Sequence, residues 1–333
     1  MTLLRGLDSV PPVSDTPASP IAPAPPAVYL GRDRLLIRAA WGGWFVVPAY
    51  NIDIIPGLVR DGVIEPWTTR LAREMARPGQ VVVNAGANFG YYTVLYGHIV
   101  GAGGKVIAIE ANPHVIPYLM ASCYWSGVPD RVTIHHGAVW DVPRQRLRFQ
   151  FSPAFLGGAS AGVLWQKGWR LSPVRRLPAA LWDDTLAAGL ADRHGRLGWT
   201  DHRVVRFTVT SRTIDDICTG LKQVDLIHMD IEGAEAFALL GAQAVIRRSP
   251  RLRIIFEWSA QRYYYGSPDA RQRSHASWEL LAANGFRVRE LASSLGDDGS
   301  IRLSPPRDFR YLSEAAPSAD YIALRPGDDP WDA

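Results

Sequence analysis

Short, wholly apolar runs alternate with longer helical segments over much of this chain, and that alternation restricts the fold more than any other feature. "QVVVN" (Gln80–Asn84), "KVIAIE" (Lys105–Glu110), "RVTIHHGAV" (Arg131–Val139), "VDLIHMD" (Val224–Asp230) and "RLRIIFEW" (Arg251–Trp258) have the length and β-branched content of buried strands. Segments of helical character lie between several of them: Asn88–Val100, Pro113–Gly127, Glu235–Arg248 and Ala270–Gly285. Strands apolar on both faces need cover on both sides, and helical crossovers make their neighbours parallel. The expectation is an α/β fold with a mostly parallel sheet and helices on both faces. "FRVREL" (Phe286–Leu291) and "ADYIAL" (Ala319–Leu324) follow, joined through Pro305 and Pro306, and are expected to add an antiparallel edge.

Domain boundaries follow from where this rhythm stops. Residues 1–27 are dominated by Pro, Ala and Ser and are expected to be a disordered tail. Residues 28–78 read as short strands, a hairpin at Gly42-Gly43, and a helix closed by Pro78-Gly79, packed on the main domain. Residues 79–333 form that domain, with an insertion or lid at 152–203 whose Trp165, Trp169 and Trp182 are expected to frame an acceptor together with Glu257–Gly266.

Composition narrows the function classes. Apolar residues make up 47% and charged residues 20%, the balance of a globular protein. The net charge of +4 is spread through the chain, and the runs Arg170–Arg176 and Arg247–Arg253 are short, so no nucleic-acid partner is expected. Cys123 and Cys218 stand far apart without metal-ligand spacing and read as buried thiols in a reducing compartment. Neither a secretory h-region nor an apolar run of membrane-spanning length is visible, so a cytoplasmic protein without a transmembrane segment is expected.

The chemistry concentrates at two strand ends. "NAGANFGYYT" (Asn84–Thr93) closes the first strand of the rhythm, with Gly86 and Gly90 permitting a tight turn and Asn88 able to cap the next helix. The second strand ends at Glu110, an acid placed to bond both hydroxyls of a ribose. The glycine spacing is not that of a dinucleotide fingerprint, which weakens a nicotinamide dehydrogenase. At "HMDIEGAE" (His228–Glu235), strand alternation puts His228 and Asp230 on one face. An acid ending an apolar strand is costly unless it is used, whereas Glu235 suits a helix first turn on dipole grounds alone.

The stretch Gly57–Gly97, then "KVIAIEANP", "VDLIHMDIEGAEAFALLGA" and "PRLRIIFEW", resembles the FkbM family of S-adenosylmethionine-dependent methyltransferases, over about residues 50–150 and 204–290. The resemblance implies a class I methyltransferase fold with a seven-stranded sheet, and S-adenosylmethionine as cofactor over the first two strands. It implies cofactor contacts at Asn84, Gly86, Ala87, Asn88, Gly90, Tyr92, Thr93, Glu110, Ala111 and Asn112, and around the adenine at Gly137, Ala138 and Val139. Family members mostly methylate hydroxyls of sugars and natural products. Such a reaction needs in-line geometry and a proton acceptor. Asp230 is the first candidate base, His228 the second, and Glu257 a partner or acceptor ligand. The family commonly has Lys where His228 stands and often Asp where Asn84 stands. Asp230 and Glu232 could hold a divalent metal, although no ligand spacing calls for one. Competing readings are another small-molecule, RNA or protein acceptor, and a non-catalytic adenosylmethionine-binding protein. The sequence leaves oligomeric state open.

Overall fold

The computed structural model describes residues 27–152, 155–161, 205–260, 268–296 and 300–330. The expected tail (1–27, save its last residue), nearly all of the 152–203 insertion with its three tryptophans, and Tyr263–Tyr265 lie outside the described residues.

The described chain begins with a three-stranded antiparallel sheet, β1 (Ala27–Gly31), β2 (Arg34–Arg38) and β3 (Trp44–Pro48). Helices α1 (Ile55–Asp61) and α2 (Pro66–Met75) follow, each with proline in its first turn, where a missing N–H costs nothing. Then come β4 (Val81–Ala85), α3 (Tyr91–Val100), β5 (Lys105–Glu110), α4 (Ile116–Trp125), β6 (Val132–His136) and β7 (Ala138–Val139). Strands β8 (Arg146–Ser152), β9 (Phe155–Ala161) and β10 (Val205–Arg212) lead through the short α5 (Ile214–Ile217) to β11 (Leu226–Met229). The chain ends with α6 (Glu235–Leu240), α7 (Gln243–Arg248), β12 (Arg253–Trp258), α8 (Pro268–Ala283), β13 (Arg287–Leu295), β14 (Ile301–Leu303) and β15 (Ala319–Leu324).

The main sheet has the order β14-β13-β15-β12-β11-β4-β5-β6. Pairing is parallel from β12 through β11, β4 and β5 to β6. Seven of the eight strands reproduce the expected class I arrangement, and short β14 adds an antiparallel edge on β13. The last strand, β15, does not sit at the rim. It lies antiparallel between β12 and β13. Tyr321, Ile322, Ala323 and Leu324 are all fully buried, and backbone so enclosed needs a hydrogen-bonding neighbour on each side.

The sheet's two faces divide the apolar residues. Val83, Ala85, Ile227, Met229, Ile254 and Phe256 pack with α6, α7 and α8. Val82, Val106, Leu226 and Ile255 pack with α2 and α3. The period of two therefore puts Asn84 and His228 on the α3 side. From β4 the chain winds outward to β5 and β6, then returns to β11 on the other flank of β4. The strand ends on either side of that reversal form the crevice where such sheets bind ligands.

Two expected continuous elements are broken where backbone from elsewhere comes close. "RVTIHHGAV" divides at Gly137, and β7 leaves the main sheet to pair with β10. "EAFALLGAQAVIRR" divides into α6 and α7 at Gly241, where a Cβ would lie 2.2 Å from the Trp140 carbonyl oxygen. Helix α3 begins at Tyr91 rather than Asn88, with Gly90 at its N-cap in the left-handed region. Asn88 is itself left-handed (φ 48°), and its Oδ1 accepts from the adjacent Phe89 N–H at 2.8 Å, so it does not cap α3.

Candidate active site

A cavity opens at the carboxyl ends of β11, β4 and β5. Asn84, Gly86, Ala87, Asn88 and Tyr92 line it from β4 and the turn into α3. Glu110, Ala111 and Asn112 line it at the end of β5, and Gly137, Ala138 and Val139 beyond β6. His228, Asp230 and Glu232 supply the opposite wall. Gly90 and Thr93 are not part of the lining. Gly90 faces helix α4, where an added Cβ would meet Leu119 at 2.8 Å, and the Thr93 hydroxyl donates to Asn84 Oδ1 at 2.8 Å. Glu257 is also outside the lining; its Oε1 accepts from the Ser318 hydroxyl at 3.0 Å.

Gly86 is required for a reason the sequence did not show. At φ 81° its Cα lies against the backbone of the β11 exit, and a Cβ would come within 1.8 Å of the Asp230 carbonyl oxygen. The glycine lets β4 and β11 close at their tips, which brings Asp230 beside the turn.

Glu110 is buried, and its carboxylate accepts from the Asn88 N–H at 2.7 Å and the Asn112 N–H at 2.6 Å. Burial pushes its pKa up, against the pull of those backbone donors. The carboxylate thereby ties the β4 turn to the β5 turn. The Asn112 Oδ1 accepts from the His114 N–H at 3.0 Å, while its buried Nδ2 has no partner among the described residues. A buried amide donor beside a cavity is costly unless something accepts from it.

His228 is buried beside the ring of Tyr92, with ring centroids 4.2 Å apart, and its Nδ1 pairs with the Tyr96 hydroxyl at 2.8 Å. Burial lowers its pKa to about 3. Burial favours the neutral imidazole, and its Nδ1 is engaged by Tyr96, which makes it a weaker candidate for the proton acceptor than Asp230.

Asp230 is half-buried at the end of β11. Burial, and then the charges of Glu232, Glu65, Glu257 and Glu235, raise its proton affinity well above that of an ordinary carboxylate. Glu235 has a structural duty. Its Oε1 accepts from the Ile231 and Gly233 N–H groups at 3.1 and 3.3 Å, closing the turn before α6.

Motif reading missed two acids, one in the N-terminal region and one on β15. Glu65, at the N-cap of α2, lines the cavity and accepts from the Tyr92 hydroxyl at 2.7 Å. Asp320 on β15 accepts from the Thr68 hydroxyl. Burial, with Glu65 and Glu257 adding like charge, pushes Asp320 up to about 7. An acid inside the apolar "ADYIAL" was a visible signal. Glu65 had no comparable one, because its place depends on where α2 docks.

The profile described as a methyltransferase FkbM domain matches residues 84–288, more than half of the chain, and spans every cavity wall except the one carrying Glu65. The chain belongs to the FkbM methyltransferase family. No curated protein matches it. Among solved structures, the O-methyltransferase from Bacillus cereus in complex with SAH is 14% identical, with a TM-score of 0.39 and 84% of each chain covered. The O-methyltransferase TomG from Streptomyces achromogenes, involved in tomaymycin synthesis and solved with SAM, is 14% identical, with a TM-score of 0.39, covering 84% of this chain and 83% of that one. At those scores neither likeness bears on function, and the fold assignment stands on the strand order itself.

As an FkbM methyltransferase the protein uses S-adenosylmethionine, which the cavity lining could hold. Glu110 could take ribose hydroxyls, Asn112 Nδ2 is an unused donor, and the Gly86–Asn88 turn could meet the methionine portion. Among the described residues no group of three or more His, Cys, Asp or Glu side chains is placed to hold a metal ion, and Asp230 with Glu232 does not belong to one. No described helix is long and apolar enough to cross a membrane.

Proposed function

We propose that this FkbM methyltransferase is an O-methyltransferase acting on a hydroxyl of a sugar or a glycosylated natural product, with Asp230 receiving the hydroxyl proton. S-adenosylmethionine supplies an electrophilic methyl group. The protein must then orient the acceptor oxygen and take its proton, because an alcohol is far too weak an acid to ionise in advance. One observation carries the reading. Asp230 lines the cavity at the β11 tip, and its proton affinity is raised by burial and by surrounding carboxylates. A carboxylate so placed binds a proton more tightly than an exposed aspartate, which suits it to receive one from the hydroxyl.

Cofactor roles follow the walls: Glu110 and Asn112 for the ribose, Gly137 to Val139 for the adenine, Gly86 to Asn88 for the methionine portion. Gly90 and Thr93 act one step back, holding the turn and α3, and Thr93 orients the Asn84 amide that lines the cavity. The protein works as a soluble enzyme in the cytoplasm on a small-molecule or glycan partner. Transfer of labelled methyl from S-adenosylmethionine into fractionated lysate tests the acceptor. Label in a glycan or glycosylated small molecule is expected, and label entering only RNA or protein overturns it. Asp230→Asn should abolish that transfer while S-adenosylmethionine affinity changes less than about threefold; retained transfer moves the base elsewhere.

A further inference from the structure

The cavity walls carry four carboxylates, Glu65, Glu110, Asp230 and Glu232, and among its described lining residues there is no lysine or arginine. Its histidine, His228, is neutral. A pocket with this bias favours a cation. The four acids are not equivalent. Glu110 is engaged by backbone N–H groups at the β5 tip. Glu65 stands by the β11 side of the cavity, within electrostatic reach of Asp230.

Glu65 is also held with unusual care. Its φ of 42° puts a non-glycine residue in the left-handed region, which costs about 1 kcal/mol. Pro66 at the start of α2 fixes the chain just after it, and the Tyr92 hydroxyl holds its Oε2 at 2.7 Å. Tyr92 in turn packs on His228, so the carboxylate is oriented by groups that belong to the cavity. An independent sign that the cavity takes a polar ligand is the buried, unpartnered Nδ2 of Asn112 on its far wall.

We propose that Glu65 is the counter-ion for the positively charged end of the methyl donor and discriminates that cation from the product, whose sulfur is uncharged. This rests on the donor reading above. The donor carries a fixed positive charge at sulfur that S-adenosylhomocysteine lacks. A carboxylate beside that sulfur gains a Coulombic attraction with the one and not the other. The benefit is product release: the charge lost on transfer loosens the hold on what remains.

Titration supports the same assignment. Glu65 is exposed at the cavity mouth; partial shielding from water there raises its pKa, Glu257 adds like charge, and the Tyr92 hydrogen bond opposes both. The other ionisable groups acting with it are Tyr91, Tyr92, Asp230 and Asp320, and the acids among them are of its own sign. A cation arriving next to this group favours its ionised form, and a neutral sulfur does not.

Calorimetry on the full chain tests this. S-adenosylmethionine and S-adenosylhomocysteine are each titrated into wild type and Glu65→Gln. Glu65→Gln, which keeps size and backbone preference, should narrow the donor-to-product affinity ratio by about two- to fivefold, the worth of an exposed charge pair. A variant whose ratio equals that of wild type overturns the proposal while leaving the donor reading intact. Binding of neither ligand to wild type removes the donor reading and this proposal together.

Discussion

His228 and Asn84 face each other in register on adjacent parallel strands, both buried and both on the α3 side of the sheet. Helix α3 satisfies each of them, Thr93 through Asn84 Oδ1 and Tyr96 through His228 Nδ1, both at 2.8 Å. The pair is neutral, since His228 is held near pKa 3. These are also the two positions at which the family resemblance implies Asp and Lys. Asp and Lys at these positions would make a buried ion pair, where this chain carries a neutral pair.

Asn84→Asp alone buries a carboxylate facing a neutral imidazole, with the acid Asp230 just beyond the end of β11. At pH 7 it can escape by protonating, at a cost of about three pH units at about 1.4 kcal/mol each, so its penalty is capped near about 4 kcal/mol. His228→Lys alone buries an ammonium, capped at about 5 kcal/mol by the same reasoning. The double variant places opposite charges side by side and should be about 1–3 kcal/mol more stable than the two single changes predict. Urea denaturation of all four proteins at pH 5 and pH 8 measures this. Asn84→Asp has a folded-state pKa above its unfolded one, so its deficit should be small at pH 5 and grow toward pH 8. Strict additivity, or a pH-independent deficit in Asn84→Asp, refutes the pairing argument.

Three further outcomes are expected. Gly86→Ala should lower the melting temperature and weaken S-adenosylmethionine at least about tenfold in calorimetry, because its Cβ would collide with the Asp230 carbonyl at 1.8 Å and an L-residue is disfavoured at φ 81°. Glu110→Gln replaces an acceptor of two backbone N–H groups by an amide that can accept fully on one side only. It should cost about 1–3 kcal/mol of stability in denaturant titration and weaken the donor, and unchanged values of both would contradict the assigned role. Asp320 has a folded-state pKa near 7, above its unfolded value, so its stabilising contribution is complete below about pH 4 and is lost as pH rises through 7. The wild-type melting temperature should therefore fall from pH 5 to pH 8, and Asp320→Asn should flatten that slope.

The local periods and the turn residues were sufficient for the class of fold. A run such as Val81–Ala85 can be read as a doubly covered strand because burial on both faces demands apolar residues at every position. Asp230 and Glu110 stood out because an acid at the end of such a strand is expensive unless used. The order of motifs in the chain likewise carried the family. Other features depended on distant chain segments meeting. Whether β15 lies at the rim or inside the sheet is decided by which neighbours satisfy its backbone, and its own sequence does not name them. Gly86 looked like a ligand-facing glycine, yet the close approach it permits is to Asp230's backbone, 144 residues further along the chain. His228 read as a titrating base because its unperturbed pKa suits one, and only burial against Tyr92 and Tyr96 shows that it stays neutral. Glu65 lies outside the matched domain and reaches the cavity through the docking of α2. Sequence determined which residues could carry charge and where strands end. Tertiary structure decided which charges share one low-dielectric space, and proton affinity follows from that proximity.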